Sequence, residues 1–320
     1  MQTLLYYSPP GSKEYRVFRE VKDSELQFDF VPFTTERKRI RVYLEEIDEA
    51  PEPSLPEAPA GNQNYSRENY LTLIQNTART IAAERWGKVV ISRPLTLKMK
   101  SRPLLWFHAL REQYPRACVY LFHHEDSGTW MGASPELLIS CSDGLVNSMS
   151  LAGTRKKGEE HSFTAKEEEE QAIVTRYILR VLTSAKGLSA VEVMERSPME
   201  AGNLVHFVNH LQADVTGKLD VEQLLHELHP TPAVGGYPRQ EALQYIFENE
   251  RHKRDYYTGY FGLKNPEAFH YYVNLRCMQV YSDAVTLYAG GGILADSVPA
   301  DEWEETEAKM QTLLKVIQDR

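Results

Sequence analysis

The chain of 320 residues has a net charge of −9, with 42% hydrophobic and 25% charged residues. That is enough apolar material for a large core in a soluble globular protein, and it includes no basic stripe of the kind that nucleic acid selects. Cys118, Cys141 and Cys277 are scattered without CxxC or zinc spacing, the first residues lack a leader pattern, and no apolar run reaches the roughly 18 residues of a membrane span, so a cytoplasmic protein with reduced thiols and no membrane contact is expected.

Residues 1–48 alternate short apolar runs with charge and predict a few strands, and the Pro-, Glu- and Ala-rich stretch 50–62 predicts an exposed connection. Ser66 suits a helix N-cap, with Leu71, Ile74, Ala78 and Ile81 at helical spacing behind it and Gly87 at the stop. The β-branched run Lys88–Ser92 predicts a strand and Leu104–Gln113 a second helix. Four strands follow, at Ala117–His123, Trp130–Gly132, Leu137–Cys141 and Val146–Ala152. A long helix fits 164–184, with Ile173, Tyr177, Ile178, Val181 and Leu182 on one face. Shorter helices fit 221–228 and 239–249, the second with Pro238 at its first turn. Strands at 255–264, 269–280 and 284–289 and a helix at 301–318 close the chain. Long strand runs with segregated helices predict an α+β or layered α/β architecture with mostly antiparallel sheets.

Several residues stand out against this background. Lys88 opens an apolar strand and is either a strand-end lysine snorkelling to water or a general base, which burial and neighbours would have to tune. Glu136, in Gly132-Ala133-Ser134-Pro135-Glu136-Leu137-Leu138, is either a solvated strand-edge residue or a partly desolvated carboxyl, protonated near neutral pH as a general acid must be. Glu170 shares the apolar face of Ile173 and Tyr177, with Glu167 one turn earlier on much the same face. An inward carboxylate needs a cation or a metal as partner. In the last helix Trp303, Met310, Leu313, Leu314 and Ile317 form the core stripe, and Glu302, Glu305 and Lys309 a flanking one. That flank is either an exposed Glu305–Lys309 pair worth about 0.3–0.5 kcal/mol or a Mg²⁺ site with a carboxylate-binding lysine beside it. Strand alternation puts Tyr271, Val273, Leu275 and Cys277 in the core and Arg276 on the other face with Tyr272 and Asn274. There it suits a bidentate grip on a carboxylate or a surface salt bridge. Gly290-Gly291-Gly292 belongs to no phosphate-loop pattern and permits a close backbone approach, with an anion on exposed N–H groups as one use.

The order and spacing of these words resemble the chorismate-utilising enzymes: the isochorismate, salicylate, anthranilate and aminodeoxychorismate synthases. The likeness runs through Lys88-Val89-Val90-Ile91-Ser92-Arg93, Gly132–Glu136, Leu151-Ala152-Gly153-Thr154, the segment 166–174, Val208-Asn209-His210-Leu211, His229–Pro238, Arg254–Gly259, Arg276-Cys277, Ala289–Ile293 and Glu302–Thr306. It covers residues 65–315 and implies one catalytic domain over 1–320, with a shortened N-terminal part at 1–64. The implied fold is a layered sandwich of two large, mostly antiparallel sheets with helices outside and the site at one end. By this resemblance Lys88 is the base that activates water for attack at C2 of chorismate, and Glu136 the acid that protonates the departing C4 hydroxyl. Glu170 and Glu305 are implied as direct Mg²⁺ ligands, with Glu167 and Glu302 acting through water. Arg276, Tyr257, the backbone near Gly292 and Lys309 are implied as the grip on the pyruvyl carboxylate. His210 and Ala233 are implied near the ring, and Gly153 and Thr154 as further substrate-binding residues. Gln171 stands where many members carry His.

Within the family, Ala152 takes the place of the nucleophilic lysine of aminodeoxychorismate synthases. Ala233 stands where salicylate synthases and amine-using members tend to have a Thr. Both point to the isochorismate synthase branch, with water as nucleophile and no glutaminase subunit, and leave as alternatives salicylate synthase and, behind it, an ammonia-using anthranilate or aminodeoxychorismate synthase component I.

Overall fold

The structure is a computed structural model. It describes the backbone of all residues except Met1, Thr35, Asn62, 157–164, 202, 203, 319 and 320, and outside these it leaves the side chains of 152–156, 165, 166, 200, 201, 204 and 206 undescribed. Among the described residues it has 17 strands and six helices, labelled here in chain order. Every strand pairing is antiparallel, and the pairings form one continuous ladder. From one edge it runs β13 (Gly236–Tyr237), β5 (Lys88–Lys98), β17 (Ala284–Ile293), β16 (Cys277–Val280), β7 (Gly128–Ser134), β6 (Cys118–His124) and β1 (Leu4–Ser8). It continues through β2 (Arg16–Val21), β4 (Ile40–Ile47), β3 (Gln27–Val31), β14 (Tyr260–Lys264) and β15 (Phe269–Val273). It ends with β8 (Leu137–Ser142), β9 (Leu145–Lys156) and β12 (Leu204–Val215), which pairs with both β10 (Leu188–Val193) and β11 (Ser197–Ala201).

The ladder folds over, so that the two layers expected from the sequence are its two halves. Phe28, Phe30, Phe261 and Tyr272 from one half meet Tyr120, Phe122, Trp130 and Tyr288 from the other. The rings of Tyr120 and Phe261 lie 4.3 Å apart, and those of Phe28 and Phe122 4.8 Å. Strand alternation reports which faces are covered. In β4 the first five residues alternate buried and exposed, whereas all seven residues of β6 are buried, because β6 carries helices on its outer face. Those helices are α2 (Pro103–Gln113) and α6 (Pro299–Gln318), packed on β6, β7, β16 and β17. Helices α3 (Ala165–Ser184) and α4 (Val221–Leu228) cover β8, β9, β14 and β15. Helices α1 (Arg67–Glu84) and α5 (Arg239–Asn249) cover β5 and the end of β17. No helix among the described residues is long and apolar enough to cross a membrane.

Four local expectations need correction. Helix α1 has its Ser66 cap, with the Ser66 hydroxyl accepting from Asn69 N–H, but it stops at Arg85 in the left-handed region (φ 56°), two residues before Gly87. The stretch 255–264 is strand only from Tyr260, because 254–259 forms a tight turn with Asp255 and Thr258 at positive φ. The stretch 269–280 is two strands, interrupted at Asn274–Arg276, where Arg276 has φ 47°. Alternation therefore fails across the break: Tyr271 and Val273 pack under α3, while Cys277 joins the interlayer core with Tyr272. Strands β10, β11 and β12 were not expected. Of these, β10, which shares the edge of β12 with β11, has no buried residue, so it shows no period-two hydrophobic signal.

Candidate active site

Lys88 is the first residue of β5, and its side chain is only 1% exposed. Its Nζ lies 2.7 Å from Glu170 Oε1, across from the N-terminal half of α3. Strand β17 runs beside β5, with Gly290, Gly291 and Gly292 opposite Ser92, Ile91 and Val90. A Cβ on Gly292 would fall on Glu170 Oε1 and Lys88 Cε. The three glycines are therefore ladder residues, and Gly292 allows the close approach of the Lys88–Glu170 pair. Gly292→Ala should push this pair out of place and lower turnover by about a hundredfold; wild-type kinetics in a folded Gly292→Ala protein would show that this approach is not needed.

Glu136 stands between β7 and β8 and is 2% exposed. Its backbone is fixed on both sides: Glu136 N–H donates to Ser134 Oγ at 3.3 Å, and Val273 N–H donates to Glu136 O at 3.0 Å. Burial pushes its carboxyl up to about 8, against the opposing pull of Lys88 and Lys309. It is thus mostly protonated at neutral pH.

The third wall comes from α6. Glu302 is buried and Glu305 is half-buried. A Cβ on Gly291 would lie 3.1 Å from Glu302 Oε2 and 4.0 Å from Glu305 Oε1, so both carboxylates face β17 beside Lys88 and Glu170. Lys309 Nζ lies 2.5 Å from Glu305 Oε1 and donates to Gly290 O at 2.8 Å. Arg93 of β5 fixes the helix from behind: its Nε donates to Thr306 Oγ1 at 2.8 Å, and its guanidinium lies 3.8 Å over the Trp303 ring. The flanking stripe of α6 is therefore turned inward.

Lys88, Glu136, Glu170, Ala233, Tyr257, Arg276, Gly292, Glu305 and Lys309 all line one cleft. Tyr257 stacks on Tyr288 at 5.3 Å, and burial pushes its phenol well above the ordinary range. Burial lowers the pKa of Arg276, which stays cationic at neutral pH. The cleft thus combines a buried lysine, a protonated carboxylic acid, two further cations and a set of carboxylates. Among the described residues, no three His, Cys, Asp or Glu side chains are gathered as a ready-made metal cage. The donor set nevertheless suits a hard cation such as Mg²⁺, which takes oxygen ligands and keeps several waters: Glu170 beside Gly292, and Glu302 and Glu305 beside Gly291.

A family profile described as chorismate binding enzyme matches residues 26–318. The chain belongs to the chorismate binding enzymes. It is 30% identical over 271 residues to anthranilate synthase component 1 of Pseudomonas aeruginosa, covering 81% of this chain and 55% of that protein. It is 31% identical over 248 residues to the vibriobactin-specific isochorismate synthase of Vibrio cholerae, covering 71% of this chain and 61% of that protein. The chain thus spans a little over half the length of these relatives. The fold matches that of the menaquinone-specific isochorismate synthase of Escherichia coli with a TM-score of 0.83 at 20% identity, over 98% of this chain and 88% of the other.

Not every expected site residue of this family member lies in the cleft. His210 shares a face of β12 with Val208, which is paired with the cleft residue Leu151, but His210 sits two pairs further along, opposite Met149, and is exposed. It does not line the cleft. Glu167 is half-buried on α3 and does not line the cleft. Gly153 and Thr154 belong to β9, but their side chains lie outside the described residues. The cleft also contains Leu151, Val234, Leu275 and Tyr288, which the sequence reading did not assign to it. Val234 was findable beside Ala233. Leu275 was hidden by the strand break, since alternation had assigned it to the core.

Proposed function

We propose that this chain is an isochorismate synthase, converting chorismate to isochorismate. The observation that carries the reading is Glu136: a carboxyl buried in one cleft with a buried lysine, where burial pushes its pKa up to about 8. In this reading Lys88, as the amine, takes a proton from water as its oxygen attacks C2. Glu136 gives its proton to the C4 hydroxyl as that bond breaks, and the ring double bonds shift. One water enters and one leaves, so substrate and product are isomers. Arg276, Tyr257 and Lys309 are the groups that hold the substrate carboxylates, Arg276 being suited to a two-point grip. The carboxylates Glu170, Glu302 and Glu305 would hold Mg²⁺, with Glu167 acting through water. When bound, that ion supplies a Lewis acid for the ring carboxylate.

Selectivity for water rests on Ala233, which brings a methyl group to the cleft where the amine-using and salicylate branches tend to have a hydroxyl. With water as nucleophile no glutaminase subunit is required. Purified protein given chorismate and Mg²⁺ without ammonia should yield isochorismate by chromatography, with little pyruvate in a lactate-dehydrogenase-coupled assay. The similarity to an anthranilate synthase component makes ammonium the deciding addition. An ammonium-dependent aromatic amine would overturn the assignment, and stoichiometric pyruvate with salicylate would move the chain to the salicylate branch.

A further inference from the structure

Three walls of the cleft come from distant parts of the chain: Lys88 and Val90 on β5, Ala233 and Val234 in the loop after α4, and Tyr257 and Thr258 in the turn before β14. One buried side chain touches all three. Arg254 is 3% exposed. Its Nη2 donates to Val90 O at 2.7 Å, and its Nη1 donates to Val234 O at 2.8 Å and to Thr258 Oγ1 at 3.4 Å. Its Nε and Nη2 donate to the two oxygens of Glu250 at 2.8 and 2.6 Å. The guanidinium lies 4.4 Å over the Phe33 ring. Glu250 extends the clamp, accepting from Ser92 N–H at 2.7 Å, again on β5. Burial alone would raise the Glu250 carboxyl, but Arg254, His252 and the Ser92 amide hold it below its usual range.

We propose that Arg254 is a positioning residue for the reaction, setting the spacing between the lysine strand, the Ala233 wall and the Tyr257 wall of the cleft. This rests on reading the cleft as the site of chorismate turnover. A buried ion pair gains little stability over apolar residues of the same volume, so stability alone is a weak reason for this pair. What the fork does and an apolar group cannot is to join two backbone carbonyls from different segments at fixed angles. A lysine in its place carries the charge for Glu250 but has a single point of donation, which cannot reach Val90 O, Val234 O and the carboxylate together.

The test compares the wild-type chain with Arg254→Lys, Phe33→Leu and Leu44→Ala. Leu44 is a buried core residue of β4 outside the cleft, and its truncation serves as a purely destabilising control. Each protein is assayed at a temperature where circular dichroism shows it folded. Arg254→Lys should lower kcat by about ten- to a hundredfold, with the loss in kcat rather than in KM. Phe33→Leu removes only the ring beneath the guanidinium and should give a smaller loss of the same kind. Leu44→Ala should lower the melting temperature and leave kcat unchanged. Wild-type kcat in folded Arg254→Lys overturns the proposal, as does an equal loss in Leu44→Ala. Should Arg254→Lys fail to fold, an unchanged kcat in Phe33→Leu overturns it. A wild-type chain that does not turn over chorismate would instead refute the functional reading beneath it.

Discussion

Glu136→Gln should lose at least about a hundredfold in kcat, and Lys88→Ala a similar factor, since positioned general acids and bases each supply roughly 10²–10⁴-fold. The glutamine keeps the shape of Glu136 and a neutral side chain in its buried place but has no proton to give to the departing hydroxyl. For the wild type, kcat/KM should fall as pH rises through about 8, where the buried acid ionises. The same shift makes a stability prediction that runs in the same direction. The folded pKa of Glu136 is raised above the unfolded one, so its contribution to stability is fully present below the ordinary carboxylate pKa and is lost as pH rises through about 8. The glutamine side chain of the variant does not titrate. The melting temperature of Glu136→Gln relative to wild type should therefore climb from pH 5 to pH 8 and then level off. Near-wild-type kcat in Glu136→Gln would remove it from the mechanism, and a pH-independent difference in melting temperature would show that its carboxyl is not held protonated.

The sequence made the site more legible than the sheet around it. Lys88, Glu136 and the α6 stripe each had two readings from periodicity, and the structure separates them by burial: Lys88 and Glu302 are inside, and Glu305 and Lys309 face Gly290 and Gly291. No periodicity could report that, because it depends on β17 lying against β5, almost two hundred residues away in sequence. Arg276 shows the converse. Alternation placed it on the open face of one long strand, yet it reaches the cleft through a break with positive φ. The signal for that break was weak, since Asn274 is an ordinary strand residue until its side chain is seen bonding Tyr256 O and Tyr120 Oη. Strand β10 was missed for a different reason: it is held by backbone pairing to β12, and only Leu188 and Val191, three residues apart, are partly buried against the core, so it carries no alternating signal.

Removing divalent cations should abolish turnover, and Mg²⁺ should restore it. The argument starts from charge. Glu170 and Glu305 arrive from α3 and α6 and are neutralised here by Lys88 and Lys309, at 2.7 and 2.5 Å. Both lysines have other work in the proposed reaction: Lys88 must act as a neutral amine, and Lys309 must meet a substrate carboxylate. Once they are so engaged, Glu170 and Glu305 lose the ion pairs they make here, beside an anionic substrate, and like charges brought together resist ionisation. Glu170, Glu302 and Glu305, beside Gly291 and Gly292, would hold a dication that offsets this loss. Binding to the folded state alone also stabilises it, by about 2.7 kcal/mol when Mg²⁺ stands at a hundred times its dissociation constant. The melting temperature should therefore rise with Mg²⁺ in the wild type, and this rise should shrink in Glu170→Gln and Glu305→Gln together with turnover. The thermal readout needs no substrate, so it tests the metal separately from the reaction. Full turnover in metal-free buffer, or a melting temperature indifferent to Mg²⁺, would leave these carboxylates as partners of the two lysines and nothing more.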